Sequence, residues 1–369
     1  MKNRLLFICF SLIPSLLFAQ QATMPSVQLG AGIGQIFKHT TNFKPPVRGI
    51  TVLTEATYEW QTAGAAAWHT THRYPVVGLT LSYADFGDNE IFGQAIGIFP
   101  SLSFSNRWKQ KRFYSFLRIG FGIAYLTKPY NEISNPLNNV IGSHWNNITD
   151  ARGGVGFRLT PQFELLAGGS FTHYSDASAQ LPNLGINVPA PFLALRYSPN
   201  PVSKYIDNEQ VMPDFRWHGL FIGSYAVREA IALGGPKYAV LNASAGAMYD
   251  LDKKHHLYAL LDYEFSEVEY KWAKNQIASP LENEMAYIAK SSRYSIAFGD
   301  EFRFGQFGFS TTFGFYLPGS APAPWFMYEK LGWRYYFLPK SKIHPFLNAN
   351  LKAHEITAEC FYFGAGLQF

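Results

Sequence analysis

Phe113-Tyr114-Ser115-Phe116-Leu117-Arg118-Ile119-Gly120-Phe121-Gly122-Ile123-Ala124-Tyr125 decides the fold class. Phe113, Ser115, Leu117, Ile119, Phe121, Ile123 and Tyr125 fall on one face of an extended chain, and Arg118, Gly120, Gly122 and Ala124 on the other. A period of two belongs to a β-strand, where successive side chains point to opposite faces. One face is bulky and apolar, the other small or charged. That division suits a wall with lipid on one side and polar groups on the other.

The pattern recurs along the chain. In Val27-Gln28-Leu29-Gly30-Ala31-Gly32-Ile33-Gly34 the odd positions are apolar and the even ones Gln or Gly. These glycines alternate strictly and lack the GxGxxG spacing of a phosphate loop, so they read as small residues on an inner wall. The run 50–61 ends in Tyr58 and Trp60, which suit an aromatic girdle. Runs 75–83, 93–104, 151–159, 162–174 and 188–197 complete a first set of eight, with Thr160-Pro161 as a tight turn. Residues 198–214, with Pro199, Pro201 and Pro213, break the pattern. Eight further runs follow: 216–229, 237–250, 256–270, 291–303, 306–317, 325–338, 344–353 and 356–369. In the third of these, Asp262 and Glu264 face away from Leu257, Ala259, Leu261, Tyr263 and Phe265. The last run, Phe361 to Phe369, alternates to its final aromatic residue, an ending that resembles the sorting signal of bacterial outer-membrane proteins.

Composition agrees. Aromatic residues are 17% and charged residues only 15% of the chain, with 31 glycines. Met1 to about Gln20 reads as a secretory signal peptide: Lys2 and Arg4 precede the apolar run from Leu5 to Phe18. Beyond it no apolar run reaches the ~18 residues of a spanning helix. The expected fold is all-β, an antiparallel transmembrane β-barrel of the bacterial outer membrane with roughly 16 strands. The expected divisions are 1–20 signal peptide, 21–199 a first barrel half, 200–214 a linker and 215–369 a second half. Two closures stay open: one wide barrel, which would leave a channel, or two barrels of eight, which side chains would fill. The formal charge of +5 includes Lys2 and Arg4, so the mature chain is mildly basic and nucleic-acid binding is not expected. Without the signal only Cys360 remains, which excludes an internal disulfide and a cysteine metal site; no cofactor is expected.

The candidate site is Phe171-Thr172-His173-Tyr174-Ser175-Asp176-Ala177, which holds the sole His-x-Ser of the sequence. A serine hydroxyl needs a base to take its proton, and residues two apart on a strand share a face. With the chain starting in the periplasm, connections after odd strands are extracellular and longer. Segments 126–147, 174–187 and 271–290 obey this; 62–73 does not. His173 then lies at the extracellular end of the seventh strand and continues the outward series Phe163, Leu165, Ala167, Gly169 and Phe171. Ser143 and His144 read as a solvated loop able to cap the site. His69, His72, His255 and His256 read as turn or surface histidines, His354-Glu355 stands isolated, and Lys352 and Arg293 are cations that could reach lipid phosphates, although barrel interiors and rims carry such charges anyway.

His173-Tyr-Ser-Asp-Ala, followed by Leu-Pro-Asn-x-Gly-Ile at 181–186, resembles the active-site segment of the PagL-type lipid A deacylases, which are outer-membrane barrel esterases. The resemblance covers about residues 25–199; the whole chain is similar to the longer Bacteroidetes-type acyloxyacyl hydrolases. It implies a carboxylic ester hydrolase, with lipid A of lipopolysaccharide in the outer leaflet as substrate and partner, in the outer membrane of a Gram-negative bacterium. It makes Ser175 the nucleophile and His173 the general base. The family's acidic third member aligns with Asn187, and its oxyanion-linked Asn after the serine is Asp176, the candidate here for an oxyanion or orienting role. The competing expectation is a barrel without catalysis, acting as a pore or scaffold.

Overall fold

The computed structural model describes residues 24–208, 212, 215–230, 233–276, 284–338, 341–355 and 357–369; the expected signal peptide lies outside them. Among the described residues sixteen strands form. The first eight are β1 (Met24–Gly34), β2 (Thr51–Gln61), β3 (Val76–Asp85), β4 (Gln94–Ser105), β5 (Phe113–Leu126), β6 (Trp145–Arg158), β7 (Phe163–Ser175) and β8 (Ile186–Tyr197). The others are β9 (Trp217–Glu229), β10 (Lys237–Asp250), β11 (His255–Ser266), β12 (Ser292–Phe304), β13 (Phe307–Tyr316), β14 (Met327–Tyr336), β15 (His344–His354) and β16 (Thr357–Gln368). They close as two antiparallel barrels of eight, not as one of sixteen. The first closes where β1 meets β8, from Val27 opposite Tyr197 to Gly32 opposite Phe192. The second closes where β16 meets β9, from Phe363 opposite Tyr225 to Gln368 opposite Leu220. The chain divides accordingly into two compact units, the second of which also takes in Ala177–Leu181.

In the first barrel the period-two pattern becomes outside and inside. Leu29 is 60% and Leu193 61% exposed on the outer wall, while Gln28 is 3% exposed within. A Cβ on Gly34 would lie 2.3 Å from the Pro189 carbonyl oxygen, so the inner-wall glycines let β1 and β8 approach. An eight-stranded barrel has room only for its own side chains, and here many of them are charged. The Arg118 guanidinium bridges Glu55 at 2.7 Å and Asp150 at 2.8 Å, and Arg152 reaches the same two carboxylates. Arg196 joins Glu59 at 2.6 Å and Glu164 at 3.2 Å, and Arg107 meets Glu164 at 2.9 Å. Burying such groups is costly unless each charge is paired and hydrogen-bonded, which this network achieves. At the end where β7 finishes, Ile36, Phe43, Phe86, Phe92, Val140, Ile141, Tyr174 and Ile186 form an apolar cap.

The second barrel repeats the construction. Lys352 meets Glu264 at 2.5 Å and Glu359 at 2.9 Å, and Arg293 reaches both carboxylates at 3.0 and 2.9 Å. Lys352 and Arg293 therefore point into the barrel, as charges of a barrel interior, and the acids at 264 and 359 claim them. Cys360, the cysteine among the described residues, is free and buried.

Among the described residues three short α-helices depart from the strand pattern: α1 (Ala67–Thr71), α2 (Glu267–Gln276) and α3 (Glu284–Lys290). The strand expected over 256–270 stops at Ser266. Glu267-Val268-Glu269-Tyr270 alternates like a strand but opens α2, with two acids in the first turn, where the helix dipole favours them. The Glu267 carboxylate also accepts a hydrogen bond from the Ala239 backbone N at 2.8 Å. The long connection 62–75 is occupied by α1, and the start of the expected linker lies against it. Ile206 N donates to Ala63 O at 2.9 Å, Tyr74 donates to Ile206 O at 3.2 Å, and the Tyr205 ring packs on Tyr74.

Candidate active site

Strand register brings the candidate residues into one outward row. Across β6, β7 and β8, Asn147 stands opposite Ser175, Thr149 opposite His173, and His173 opposite Asn187. His173 and Ser175 share the face of Phe171, which is 43% exposed, whereas Thr172 and Tyr174 between them are buried within the barrel. Ser175 is itself only 4% exposed and His173 is half-buried, because connections fold over this end of the wall.

The geometry is a linear series of hydrogen bonds. His173 Nε2 is 3.0 Å from Ser175 Oγ, and His173 Nδ1 is 2.6 Å from Asn187 Oδ1. Asn147 Nδ2 donates to Ser175 Oγ at 3.3 Å. Asn187 Nδ2 lies 2.9 Å from His39 Nδ1. A serine whose oxygen faces an imidazole nitrogen, with the other ring nitrogen held by a third group, is the arrangement that activates a hydroxyl for attack on an acyl carbon.

The surrounding loops fix this series. Phe37 N donates to Asn187 O at 2.8 Å, which sets the segment carrying His39 beside β8. Leu184 N and Gly185 N both donate to Val140 O, and Lys44 N donates to Asn139 Oδ1. Segments 37–44, 138–141 and 183–187 thus interlock around the histidine. Gly185 has φ +81°, and a Cβ there would sit 2.7 Å from His173 Cε1. Glycine meets two demands at once, a left-handed backbone and clearance for the imidazole ring.

Asp176 follows the serine at the end of β7. Its backbone N donates to Asn183 Oδ1 at 3.1 Å, and Asn187, not Asp176, meets His173 Nδ1. Ser143 and His144 do not pair with each other: Ser143 donates to Trp145 O, and His144 stacks on Tyr125 with its Nδ1 on Leu126 O. His69, His72 and His256 are buried rather than at the surface. His256 and His218 share Asp250, and His255 meets Asp300 at 2.6 Å. Among the described residues no cluster has the makings of a metal site.

Two site residues escaped sequence reasoning. Asn147 depends on the hairpin register, which is centred on Pro161 and pairs Arg158 with Glu164 and so Asn147 with Ser175; a two-residue turn at Thr160-Pro161 would put it opposite Tyr174. His39, 148 residues before Asn187, gives no local signal.

Residues 54–196 match the family model described as lipid A 3-O-deacylase (PagL), and residues 215–369 match the acyloxyacyl hydrolase C-terminal domain. The chain belongs to the PagL-type lipid A deacylase family. Its first barrel carries the deacylase match, including β7 and Asn187, and its second barrel the C-terminal domain match. Among solved structures, the outer membrane enzyme PagL shares 15% identity, with TM-score 0.34, over 45% of this chain and 97% of its own. The monoaromatic hydrocarbon channel TodX, as its deltaS2 mutant, shares 10% identity, with TM-score 0.20, over 96% of this chain and 90% of its own. The β-domain of the Bordetella autotransporter BrkA shares 9%, with TM-score 0.24, over 95% and 99%. No protein with a curated description matches the sequence.

Proposed function

We propose that this chain is a serine esterase that removes an ester-linked acyl chain from lipid A of lipopolysaccharide, acting from the outer leaflet of the outer membrane. The observation that carries this reading is the outward series Ser175, His173, Asn187, with 3.0 and 2.6 Å between the interacting atoms. The ester of a lipid lies at the boundary between headgroup and acyl chains. A nucleophile on the outer wall, at the rim of a strand, meets that boundary without extracting the lipid from the membrane.

In this reading Ser175 Oγ attacks the ester carbonyl carbon while His173 Nε2 takes the hydroxyl proton. Negative charge develops on the former carbonyl oxygen. Asn147 Nδ2, already within reach of Oγ, supplies a neutral donor for it. His173 then returns its proton to the departing alkoxide as the C–O bond breaks, leaving an acyl-serine. Water, deprotonated by the same nitrogen, hydrolyses the acyl-serine and frees the fatty acid. Asn187 Oδ1 accepts the Nδ1–H and keeps the lone pair on Nε2. It lacks the full charge that stabilises an imidazolium in an acid-bearing triad, so the site works with a weaker third member.

The test is mass spectrometry of lipid A from cells producing the wild type or Ser175→Ala at equal folded levels. Loss of one acyl chain in the wild type alone is the expected result. Identical lipid A in both would sink the esterase reading and leave a barrel of other purpose. The charge-filled interior of the first barrel weighs against a water-conducting pore through it.

A further inference from the structure

An amide in the third position creates a problem that a carboxylate does not have. Both oxygens of a carboxylate accept, so either orientation serves. An amide presents oxygen on one side and NH2 on the other, and the two are nearly the same size. For His173 Nε2 to accept the serine proton, Nδ1 must carry the hydrogen. The Asn187 atom facing Nδ1 must then be oxygen. Turned by half a rotation, the amide would donate to Nδ1 and place the imidazole hydrogen on Nε2, against the serine hydroxyl. That wrong tautomer is what disables a serine triad whose acid has been replaced by an amide, at a cost of about 10⁴-fold.

The structure places a group that can decide between the two orientations. His39 Nδ1 lies 2.9 Å from Asn187 Nδ2, on the side away from His173. A neutral imidazole with its hydrogen on Nε2 offers only a lone pair at Nδ1, and a lone pair accepts from NH2 but not from oxygen. Phe37 N on Asn187 O holds the segment in register, and the Phe43 ring lies edge-on beside the His39 ring. We infer that His39 is a positioning residue of the hydrolytic site: by accepting from Asn187 Nδ2 it orients the amide oxygen to His173 Nδ1 and so fixes the tautomer in which His173 acts as a base. This inference rests on the esterase reading for its consequence, but not for its observation.

The experiment uses the full-length chain folded in detergent micelles, with 15N-labelled histidine, as wild type, His39→Ala, His39→Gln and the pair Asn187→Asp and Asn187→Asp/His39→Ala. Imidazole 15N shifts report the His173 tautomer directly. The wild type and His39→Gln, whose amide oxygen can accept in place of Nδ1, should show hydrogen on Nδ1 alone. His39→Ala should show a mixture of tautomers. With Asp at 187 the tautomer should be single whether or not His39 is present. Hydrolysis of an ester lipid, measured on the same samples, should fall about tenfold or more in kcat for His39→Ala, with KM little changed, and should be insensitive to His39 in the Asp background. A His173 tautomer unchanged by His39→Ala, or equal losses in both backgrounds, overturns the inference. Absence of Ser175-dependent hydrolysis in the wild type would instead overturn the esterase reading, while the 15N shifts still decide what His39 does.

Discussion

The two barrels share a plan and differ at their seventh strands. In the first, β7 ends His173-Tyr174-Ser175 with the histidine on the outward face, opposite Asn187. In the second, β15 ends Lys352-Ala353-His354, and its histidine turns inward. His354 Nε2 lies 3.0 Å from the Tyr316 hydroxyl, its Nδ1 lies 3.5 Å from Glu359, and a register shift interrupts the strand at 352–353. The same residue type at the same end of equivalent strands thus falls in one case beside a serine on the outward face and in the other inside an ion-pair network. What separates a candidate catalytic histidine from a structural one is the face it occupies and the oxygen it meets.

The sharpest way to break this comparison is to remove each histidine. His173→Ala is expected to lower ester hydrolysis by roughly 10³-fold or more, since base and nucleophile act as a unit. His354→Ala should leave it within about twofold, because its ring meets Tyr316 and Glu359 rather than a serine. Fatty-acid release per folded molecule measures both. Equal losses would mean that the second barrel takes part in the chemistry.

The buried ion pairs should behave alike in the two barrels. Arg118→Met takes one of two cations from Glu55 and Asp150 and leaves Arg152, and Lys352→Met takes one cation from Glu264 and Glu359 and leaves Arg293. Removing one partner from a buried network costs about 3–5 kcal/mol. Both variants should lower the urea midpoint of the heat-modifiable band shift, and a cost confined to one would show that the interiors are not equivalent.

A glycine in each half separates steric from backbone effects at smaller scale. Gly185 and Gly319 have similar φ, +81° and +85°, but only Gly185 has His173 in the way of a Cβ; Gly319 has nothing within 4 Å. Each Ala variant should carry about 1 kcal/mol of backbone strain. Only Gly185→Ala should also lower kcat, by about tenfold, as the imidazole shifts away from Ser175.

Most of the fold was legible because a barrel wall writes its period into the chain. Leu117, Ile119 and Arg118 announced their faces, and sixteen runs gave sixteen strands. Closure was not legible. Whether eight or sixteen strands share a wall depends on Val27 meeting Tyr197, a contact between positions far apart in sequence with no marker at either end. α2 was hidden because Glu267-Val268-Glu269-Tyr270 satisfies both periods over so short a run. The site was legible where it is local, at His173 and Ser175 two residues apart and at Asn187 by the family pattern. It was illegible where it is tertiary: Asn147 depends on register across a hairpin, and His39 on the loop that follows β1.

The weakest expected difference between the barrels is their response to acid, outside the membrane wall. In the first, burial pushes the His69 imidazole of α1 down to about 4, and its Nδ1 accepts from Ala66 N. The unfolded chain binds that proton from near pH 6.5, so between about pH 6.5 and 4 it holds more protons than the folded state. Stability therefore falls with pH in that window and levels off below it. In the second barrel the turn residue Asp252 is only slightly desolvated, which would raise its carboxyl, but donation from Lys254 N and His255 N brings it net below the ordinary value. Its contribution is present above the unfolded value near 3.8 and is lost only in stronger acid. On lowering the pH, the 62–75 connection should begin to open first. Limited proteolysis there, compared with cleavage at 251–254, measures the order. His69→Gln should remove the dependence between pH 6.5 and 4, and an unchanged cleavage profile in that variant would show that the buried imidazole is not what senses the acid.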